Sequence, residues 1–334
     1  METPSETSFP KGNFSSENPQ VGGLTQSSTI SNGYHEPFVV EPIASSHTHT
    51  IILLHGRGSN GPKFGTEFIA SNTSTGKTLS VLFPSTKWIF PTAKKRRAVL
   101  FKRMPINQWF DIYDINNQTY REHLQVDGLQ ETTAYLHGLI EQEIKNGIPV
   151  ERIVVGGLSQ GCAASLYAML CYNKRLGGYV GMCGWLPFAK YMEDCLEASQ
   201  NKDDTEDDDI FGGSDDEEST TFEKEEELDD TQATVAKNPI TEAIGFLKDN
   251  ISFPRSPKKE KIDVLETPMF LGHGVLDEKV LFRLGEQARD VLKGLGCRIT
   301  WKAYDDLGHW YKIPDEIDHI RDFISDSLEL EATS

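Results

Sequence analysis

The sequence predicts an α/β fold, with a mostly parallel sheet that helices cover on both faces, in a single domain. From residue 37 onward, short apolar, β-branched segments alternate with longer amphipathic ones, the alternation typical of strand-helix-strand units. The predicted strands are almost continuously apolar, as strands buried on both faces are. The predicted strands are 38–43, 50–54, 79–83, 152–156, 179–183, 268–272 and 299–304, and the predicted helices are 129–146, 161–172, 280–294 and 316–328.

Two segments interrupt this pattern. Residues 1–36 are rich in Ser, Thr, Asn, Gly and Pro and poor in apolar residues, so we expect a disordered N-terminal tail. Residues 197–238 form an acidic insert in the cap region, also expected to be disordered. The predicted domain therefore comprises residues 37–196 and 239–329. A helical segment at 240–250 follows the insert, and we interpret it as a helix packed on the domain, with a mobile lid as the alternative.

The charge is concentrated in the insert. The chain carries a formal net charge of −18 over 334 residues, and residues 201–230 contribute −14 of it with 16 acidic and 2 basic side chains. The other 304 residues carry only −4. Nucleic-acid binding is not expected, because it requires a basic face. The simplest interpretation of the insert is a solubilising loop, and shielding of the active site is the alternative.

Five cysteines without a C-x-x-C spacing favour a reducing compartment. The N-terminus lacks the features of a signal peptide, and no apolar segment reaches the roughly 20 residues that cross a bilayer. We expect a cytoplasmic protein, with the nucleus as the alternative. The oligomeric state is not predicted.

The most informative motif is the pentapeptide Gly157-Leu158-Ser159-Gln160-Gly161. It follows a predicted buried strand and precedes a predicted helix with small residues in its first turn. A Gly-x-Ser-x-Gly turn in this context is a nucleophile elbow, in which the tight turn exposes the serine above the sheet. We therefore predict Ser159 as a catalytic nucleophile.

A serine hydroxyl needs a base to remove its proton and an acid to orient that base. In α/β-hydrolases the acid and then the histidine follow the serine along the chain. His309 lies after the last predicted strand, and Asp277 lies after the preceding one. They are the predicted base and acid. Weaker candidates are Asp305, Asp306, Glu278 and His273, whereas His55 is better placed to orient the loop that follows it.

That loop, residues 54–61, is glycine-rich and follows the strand predicted at 50–54. The oxyanion of an acyl-transfer intermediate needs two preorganised backbone donors, one after the nucleophile and one in such a loop. Gln160 and, by position, Arg57 are the predicted donors. A glycine-rich turn without a catalytic role is the alternative for the loop.

Together these residues resemble the phospholipase/carboxylesterase family, whose best-known members are acyl-protein thioesterases. The resemblance extends from about residue 50 to 325, without the insert, and depends on six motifs: Leu54-His55-Gly56-x-Gly58, Trp109-Phe110-Asp111, Gly157-x-Ser159-Gln160-Gly161, Trp185-Leu186-Pro187, His273-Gly274-x-x-Asp277-x-x-Val280 and Gly308-His309.

The resemblance implies an α/β-hydrolase fold with Ser159, Asp277 and His309 as triad and the amides of Arg57 and Gln160 as oxyanion hole. It implies no metal or cofactor. It also implies an acyl groove near Trp185 and Leu186. The simplest interpretation of the Trp109 motif is two buried aromatics with a loop-capping carboxylate, and an active-site wall near the entrance, with Trp109 binding substrate, is the alternative.

Two residues differ from the familiar family pattern. Arg57 stands where an apolar residue is usual, and Trp310 follows His309 where smaller residues are familiar. A backbone amide can stabilise an oxyanion whatever its side chain, so these changes affect the expected substrate rather than the expected chemistry.

The sequence thus predicts a serine hydrolase of acyl thioesters, foremost an acyl-protein thioesterase acting on S-acylated proteins. A carboxylesterase or lysophospholipase acting on small or lipid esters is the alternative within the same mechanism, and a binding or scaffold protein is the alternative of another class. The basic residues 94–97, followed by apolar residues 98–101, are interpreted as a solvated loop, with transient contact with an anionic membrane surface as the alternative.

Overall fold

A seven-stranded sheet forms the centre of the part of the chain that the computed structural model describes, which is residues 33–203, 238–255 and 262–332. Its strands are β1 (Phe38–Val40), β2 (His49–Leu54), β3 (Thr86–Phe90), β6 (Ile153–Leu158), β7 (Gly178–Met182), β8 (Met269–Gly274) and β9 (Ile299–Tyr304). A separate two-stranded hairpin is formed by β4 (Lys95–Ala98) and β5 (Met104–Asn107).

The spatial order of the sheet is β1-β3-β2-β6-β7-β8-β9, and only the β1–β3 pair is antiparallel. Leu54, the last residue of β2, pairs with Gly157 near the end of β6. Because parallel strands end at the same edge of the sheet, the loop after β2 and the turn after β6 lie side by side.

Helices cover both faces. They are α1 (Gly61–Ile69), α2 (Leu79–Leu82), α3 (His123–Lys145), α4 (Gln160–Leu170), α5 (Ala189–Asp203), α6 (Pro239–Asn250), α7 (Phe282–Gly294) and α8 (Asp315–Leu328). Within β2, Ile51 and Leu53 belong to the core that contains α1 and α8, whereas Ile52 and Leu54 belong to the core that contains α3, α4 and α7. The continuous apolar character of the strands follows from this double burial, and the predicted fold class is confirmed.

One predicted strand is wrong. Residues 79–82 form the short helix α2, in which Leu79 and Leu82 are buried while Val81 is exposed. The strand of this region is β3, whose residues Trp88, Ile89 and Phe90 are all buried. A short apolar segment does not distinguish a buried helical turn from a strand. Helix α1 and the β4–β5 hairpin are additional elements that the pattern did not predict.

The elements around the predicted insert are two helices. Helix α5 continues to Asp203, seven residues beyond the predicted domain boundary at 196, while residues 204–237 and 1–32 lie outside the described residues. Helix α6 packs on the domain through Ala243, Ile244 and Leu247, and the Tyr167 hydroxyl donates to the Leu247 carbonyl at 2.6 Å. These contacts agree with the interpretation of α6 as a packed helix.

Candidate active site

Ser159 occupies the sharp turn between β6 and α4. Its φ is 57° and its ψ is −121°, a conformation that a residue with a Cβ rarely adopts. The space around the turn explains the flanking glycines. A Cβ on Gly161 would lie 2.2 Å from the carbonyl oxygen of Leu54, and one on Gly157 would lie 2.5 Å from the same atom. The sequence therefore forms a tight turn that directs the serine toward the end of the sheet.

Three residues far apart in sequence meet at this turn. The Nε2 atom of His309 lies 2.9 Å from the Oγ atom of Ser159, and Nδ1 of His309 lies 2.7 Å from Oδ2 of Asp277. His309 follows β9, and Asp277 follows β8. With Nδ1 donating to the carboxylate, Nε2 is the unprotonated nitrogen that can accept the serine proton.

The carboxylate of Asp277 is buried and fully engaged. Its Oδ1 accepts hydrogen bonds from the amides of Lys279 and Val280, each at 2.9 Å. Burial raises the pKa of Asp277, but hydrogen bonds from His273, from His309 and from the Val280 amide outweigh it. The pKa therefore lies well below its usual range, and the group is a carboxylate at neutral pH.

Cys183, His273 and Asp277 offer ligand atoms within 4.8 Å of one another, a spacing found in metal sites. Their atoms, however, are occupied by protein contacts. Nε2 of His273 donates to the Val280 carbonyl at 2.9 Å, and the Cys183 thiol donates to the Trp310 carbonyl at 3.0 Å. Burial raises the pKa of Cys183 well above its usual value, so the thiol stays protonated. The donor set fits a support for the Asp277 and His309 loops rather than a cation.

The loop after β2 is held by a chain of buried hydrogen bonds. His55 donates from Nδ1 to the Gly56 carbonyl at 2.7 Å and accepts at Nε2 from the Ala93 amide at 3.0 Å. Burial lowers the pKa of His55 to about 4, so this histidine is neutral at physiological pH. The indole of Trp109 donates to the His55 carbonyl at 2.8 Å. The role predicted for His55, orienting the loop, agrees with these contacts.

The hairpin supports the same loop from its outer side. The Gly58 amide donates to the Asn107 carbonyl at 2.8 Å, and the Asn107 side chain donates to the Ser59 carbonyl at 2.8 Å. No acceptor within the described part of the chain takes the Arg57 amide hydrogen. The Gln160 amide is at the first residue of α4 and has no acceptor in its own helix. Both predicted oxyanion donors are therefore backbone amides of rigid segments.

The side chain of Gln160 has a structural role that sequence reasoning missed. Its Oε1 accepts from the Trp109 amide at 3.0 Å, and its Nε2 donates to the Phe110 carbonyl at 2.8 Å. Both bonds are buried, so this amide joins the nucleophile turn to the loop after the hairpin. The sequence gives one weak signal for this role, namely that a glutamine, Gln160, follows the serine in a chain that also contains the Trp109-Phe110-Asp111 motif.

A cavity of about 210 Å³ opens onto Ser159 and His309. Of the three predicted substrate-binding residues, Trp185 lines this cavity, whereas Trp109 and Leu186 do not. Trp109 is only 1% exposed and packs behind the glycine-rich loop after β2, with its ring 5.0 Å from that of His55. Leu186 is buried in the core. The remaining apolar wall comes from Phe64, Ile115, Leu158, Val280 and Trp310.

The weaker acid candidates lie elsewhere. Asp306 pairs with the Lys312 ammonium at 2.6 Å on the surface, and Asp305 and Glu278 are exposed. His273 is buried behind Asp277, with its Nε2 atom 3.4 Å from Oδ2. Its position lets it support the carboxylate rather than serve as a base for Ser159.

A nucleophile turn at the carboxyl end of a parallel sheet, with an Asp and a His after the last two strands, defines the chain as an α/β-hydrolase. The family model described as phospholipase/carboxylesterase matches residues 35–224. The chain belongs to this family, and it is a serine hydrolase acting on acyl esters.

Individual relatives agree with this assignment. An acyl-protein thioesterase 1 from Gibberella zeae is 27% identical over 301 residues, which are 90% of this chain and 98% of the relative. An acyl-protein thioesterase 1 from Schizosaccharomyces pombe is 38% identical over 151 residues, 45% of this chain and 62% of the relative. The crystal structure of Zea mays acyl-protein thioesterase 2 is 25% identical with a TM-score of 0.57, and the match covers 88% of this chain and all of that one.

Within the described residues, no helix combines the length and apolarity that a membrane crossing requires.

Proposed function

We propose that the protein removes long acyl chains from cysteine thioesters of S-acylated proteins, with Ser159, His309 and Asp277 as catalytic triad. The observation that carries the proposal is the continuous hydrogen-bonded chain from Oγ of Ser159 through His309 to Asp277. The similarity to acyl-protein thioesterases supports thioesters as substrates.

In the first half-reaction, Oγ of Ser159 attacks the acyl carbonyl carbon while Nε2 of His309 takes its proton. Asp277 holds the imidazole in the required tautomer and stabilises the imidazolium that forms. The amides of Arg57 and Gln160 donate to the oxyanion of the tetrahedral intermediate. The carbon–sulfur bond then breaks, the leaving thiolate takes the proton from His309, and the acyl group remains esterified to Ser159.

In the second half-reaction, His309 removes a proton from water, and the resulting nucleophile attacks the acyl-enzyme. Collapse of the second intermediate returns the proton to Ser159 and releases the fatty acid. Both half-reactions use the same residues because the two transition states are alike in charge and geometry. The preorganised loop, fixed by His55, Trp109 and Asn107, needs no rearrangement to accept either oxyanion.

The test is hydrolysis of two peptides that differ only in the linking atom, an S-palmitoyl cysteine peptide and an O-palmitoyl serine peptide. We expect the wild type to hydrolyse the thioester with the higher kcat/KM and Ser159→Ala to hydrolyse neither. Equal rates, or faster cleavage of the oxygen ester, would favour the carboxylesterase alternative, which the family description also supports. A wild-type protein that hydrolyses neither peptide would contradict the proposal.

The hairpin supports a transient contact with an anionic membrane surface, where acylated substrates reside. Leu100 and Phe101, between β4 and β5, are 47% and 41% exposed, and Met104, the first residue of β5, is 57% exposed. Exposed cations flank them in the sequence, namely Lys95, Arg97, Lys102 and Arg103. Within the described residues, none of these four cations forms an ion pair with a carboxylate. Exposed apolar side chains with cationic neighbours in the sequence fit an interface of acyl chains and anionic headgroups.

Vesicle sedimentation tests this contact, with phosphatidylserine-containing and purely zwitterionic vesicles compared at low and high salt. We expect binding only to the anionic vesicles and at low salt, because the attraction is electrostatic and screened. Replacing both Leu100 and Phe101 with Ser should weaken binding, whereas the same change at exposed Val275 and Leu276 should not. A cytoplasmic location, where such a surface is available, is part of the same proposal.

A further inference from the structure

The charged side chains that line the cavity at Ser159 are of one sign among the described residues. Its lining includes two cationic side chains, Arg57 and Lys279, and no Asp or Glu of the described residues lies in its wall. This polarity contrasts with the chain as a whole, which carries a net charge of −18. A carboxylate or phosphate entering the cavity would therefore meet positive charge from two side chains.

Arg57 is held in place without a charged partner. Its guanidinium lies 5.1 Å from the ring centroid of Phe101, and its Nη1 is buried without a hydrogen-bond partner. No ion pair to Arg57 exists in residues 33–203, 238–255 and 262–332. A buried donor that is left unpaired is unfavourable, and more so when it is charged. A group that supplies the missing acceptor would recover this free energy.

The Asp111 carboxylate acts on this cation electrostatically but forms no hydrogen bond with it. Asp111 raises the pKa of Arg57, against the larger lowering by burial, but its oxygens accept from Val99, Gln108 and Ile112. Arginine remains protonated at all physiological pH values. Its planar fork of donors suits the two oxygens of a carboxylate or phosphate.

Lys279 supplies the second positive charge in the lining of the cavity. Its backbone amide is fixed by Asp277 at 2.9 Å, while its side chain is exposed and lines the cavity. The described residues hold no ion-pair partner for this ammonium either. The aromatic wall of Trp185 and Trp310 completes a cavity that is apolar in part and cationic in part.

We propose that Arg57 and Lys279 form an anion subsite, and that the enzyme prefers acyl thioesters or esters bearing a carboxylate or phosphate next to the scissile bond. This inference rests on the proposed function, whose substrates it narrows. Arg57 thus has two separable parts: its amide faces the oxyanion, and its side chain selects the substrate.

The test compares two pairs of substrates that differ only in charge. The carboxylate pair is S-octanoyl-N-acetylcysteine and its methylamide. The phosphate pair is 1-octanoylglycerol 3-phosphate and 1-octanoylglycerol. For the wild type we expect kcat/KM to be about tenfold or more higher for the charged member of at least one pair, the size of a hydrogen bond between charged groups. The pair that shows the preference identifies the anion.

The ratio within a pair cancels any general loss of activity caused by a change near the oxyanion loop. We expect Arg57→Leu to bring the ratio close to one, Arg57→Glu to bring it below one, and Arg57→Lys to keep part of it. A wild-type ratio near one in both pairs overturns the subsite. The subsite is also overturned if Arg57→Leu lowers kcat/KM by the same factor for the charged and the neutral substrate of a pair. In that case the Arg57 side chain affects only the glycine-rich loop and not the choice of substrate.

Binding to Ser159→Ala separates this inference from the proposed function, because binding needs no turnover. Calorimetry should show tighter binding of the charged member of the same pair to Ser159→Ala and loss of that difference when Arg57→Leu is added. If the wild type hydrolyses no substrate but Ser159→Ala shows this difference, the proposed function fails and the subsite stands. Equal binding of charged and neutral members overturns the subsite even in an active enzyme.

Discussion

The side chain of Gln160 accepts a hydrogen bond from the backbone amide of Trp109 at 3.0 Å, which joins the nucleophile turn to a loop 51 residues earlier in the chain. The residue that contributes one oxyanion donor in our proposal thereby also fixes the packing behind the other. Trp109 in turn donates from its indole to the His55 carbonyl, next to the glycine-rich loop. The two sides of the proposed oxyanion hole are therefore mechanically coupled.

Replacing Gln160 by Met should uncouple them. The Trp109 amide and the Phe110 carbonyl would lose their partners in a buried site, at about 1–3 kcal/mol for each unsatisfied group. We expect a lower urea midpoint and a lower kcat with a smaller change in KM, because a misplaced oxyanion donor weakens transition-state binding. Gln142→Met, which removes an exposed surface contact with Asn146, is the matched control and should change neither quantity. An unaltered kcat in Gln160→Met would show that the coupling has no catalytic consequence.

The strained backbone at Ser159 predicts that two inactivating substitutions differ in their effect on stability. Its φ of 57° is unfavourable for any residue with a Cβ but accessible to glycine. Ser159→Gly should therefore be more stable than Ser159→Ala, by roughly 1 kcal/mol, although both are inactive. Chemical denaturation of the two variants measures the difference. Equal stability, or a less stable glycine variant, would mean that the turn stores no strain.

Glu316 predicts a pH dependence of stability. It is fully buried, its Oε2 accepts from the Lys312 amide at 2.9 Å, and burial raises its pKa to about 8. The pKa of Glu316 is about 8 in the folded protein and near 4.5 in the unfolded chain. Between these two pH values the folded protein therefore binds a proton that the unfolded chain has lost. Across this window the free energy of unfolding should fall as the pH rises, by up to about 1.4 kcal/mol per pH unit.

Glu316→Gln removes this titration and keeps an acceptor for Lys312. We expect the stability of the variant relative to wild type to increase from pH 5 to pH 8, as measured by urea midpoints. Glu329→Gln, at the exposed end of α8, should show no such trend. Parallel curves for wild type and Glu316→Gln would contradict a neutral buried acid.

Trp310 is expected to limit the width of the entrance to the cavity at Ser159. Its ring lines the cavity, is 40% exposed and stacks on Tyr311 at a centroid distance of 5.0 Å. Trp310→Ala should raise kcat/KM for bulky, branched acyl esters relative to straight-chain ones, because it removes one wall of the entrance. Exposed Ile313, which does not line the cavity, provides the control variant Ile313→Ala. A ratio unaffected by Trp310→Ala would place the entrance elsewhere.

Local signals were sufficient for the parts of the fold that depend on neighbouring residues. The Gly-x-Ser-x-Gly turn is encoded by steric exclusion, since a Cβ at Gly161 has no room beside Leu54. The double burial of β2 corresponds to the four consecutive apolar residues at 51–54. Residues 79–83 were misassigned because four apolar positions fit one helical turn as well as a strand, and only packing against the sheet decides between them.

The parts that were not predicted depend on contacts between distant segments. The sequence leaves Trp109 open between a buried aromatic and an entrance residue, and only the bond from its indole to the His55 carbonyl, 54 positions away, accounts for the buried position of the ring. The anchoring by Gln160 and the burial of Glu316 have no local pattern at all. Such features follow from the register of β2 beside β6 and from the docking of α8, which a single sequence does not encode in any periodicity.

The most direct test of the central claim is the site of covalent labelling by a fluorophosphonate, which forms a phosphorus–oxygen bond with an activated serine as fluoride leaves. We predict a single adduct on the peptide containing Ser159, absent in Ser159→Ala and formed far more slowly in His309→Ala and Asp277→Asn, with all variants folded. Labelling of another serine, or a labelling rate indifferent to His309, would contradict the assignment of Ser159, His309 and Asp277 as the catalytic triad.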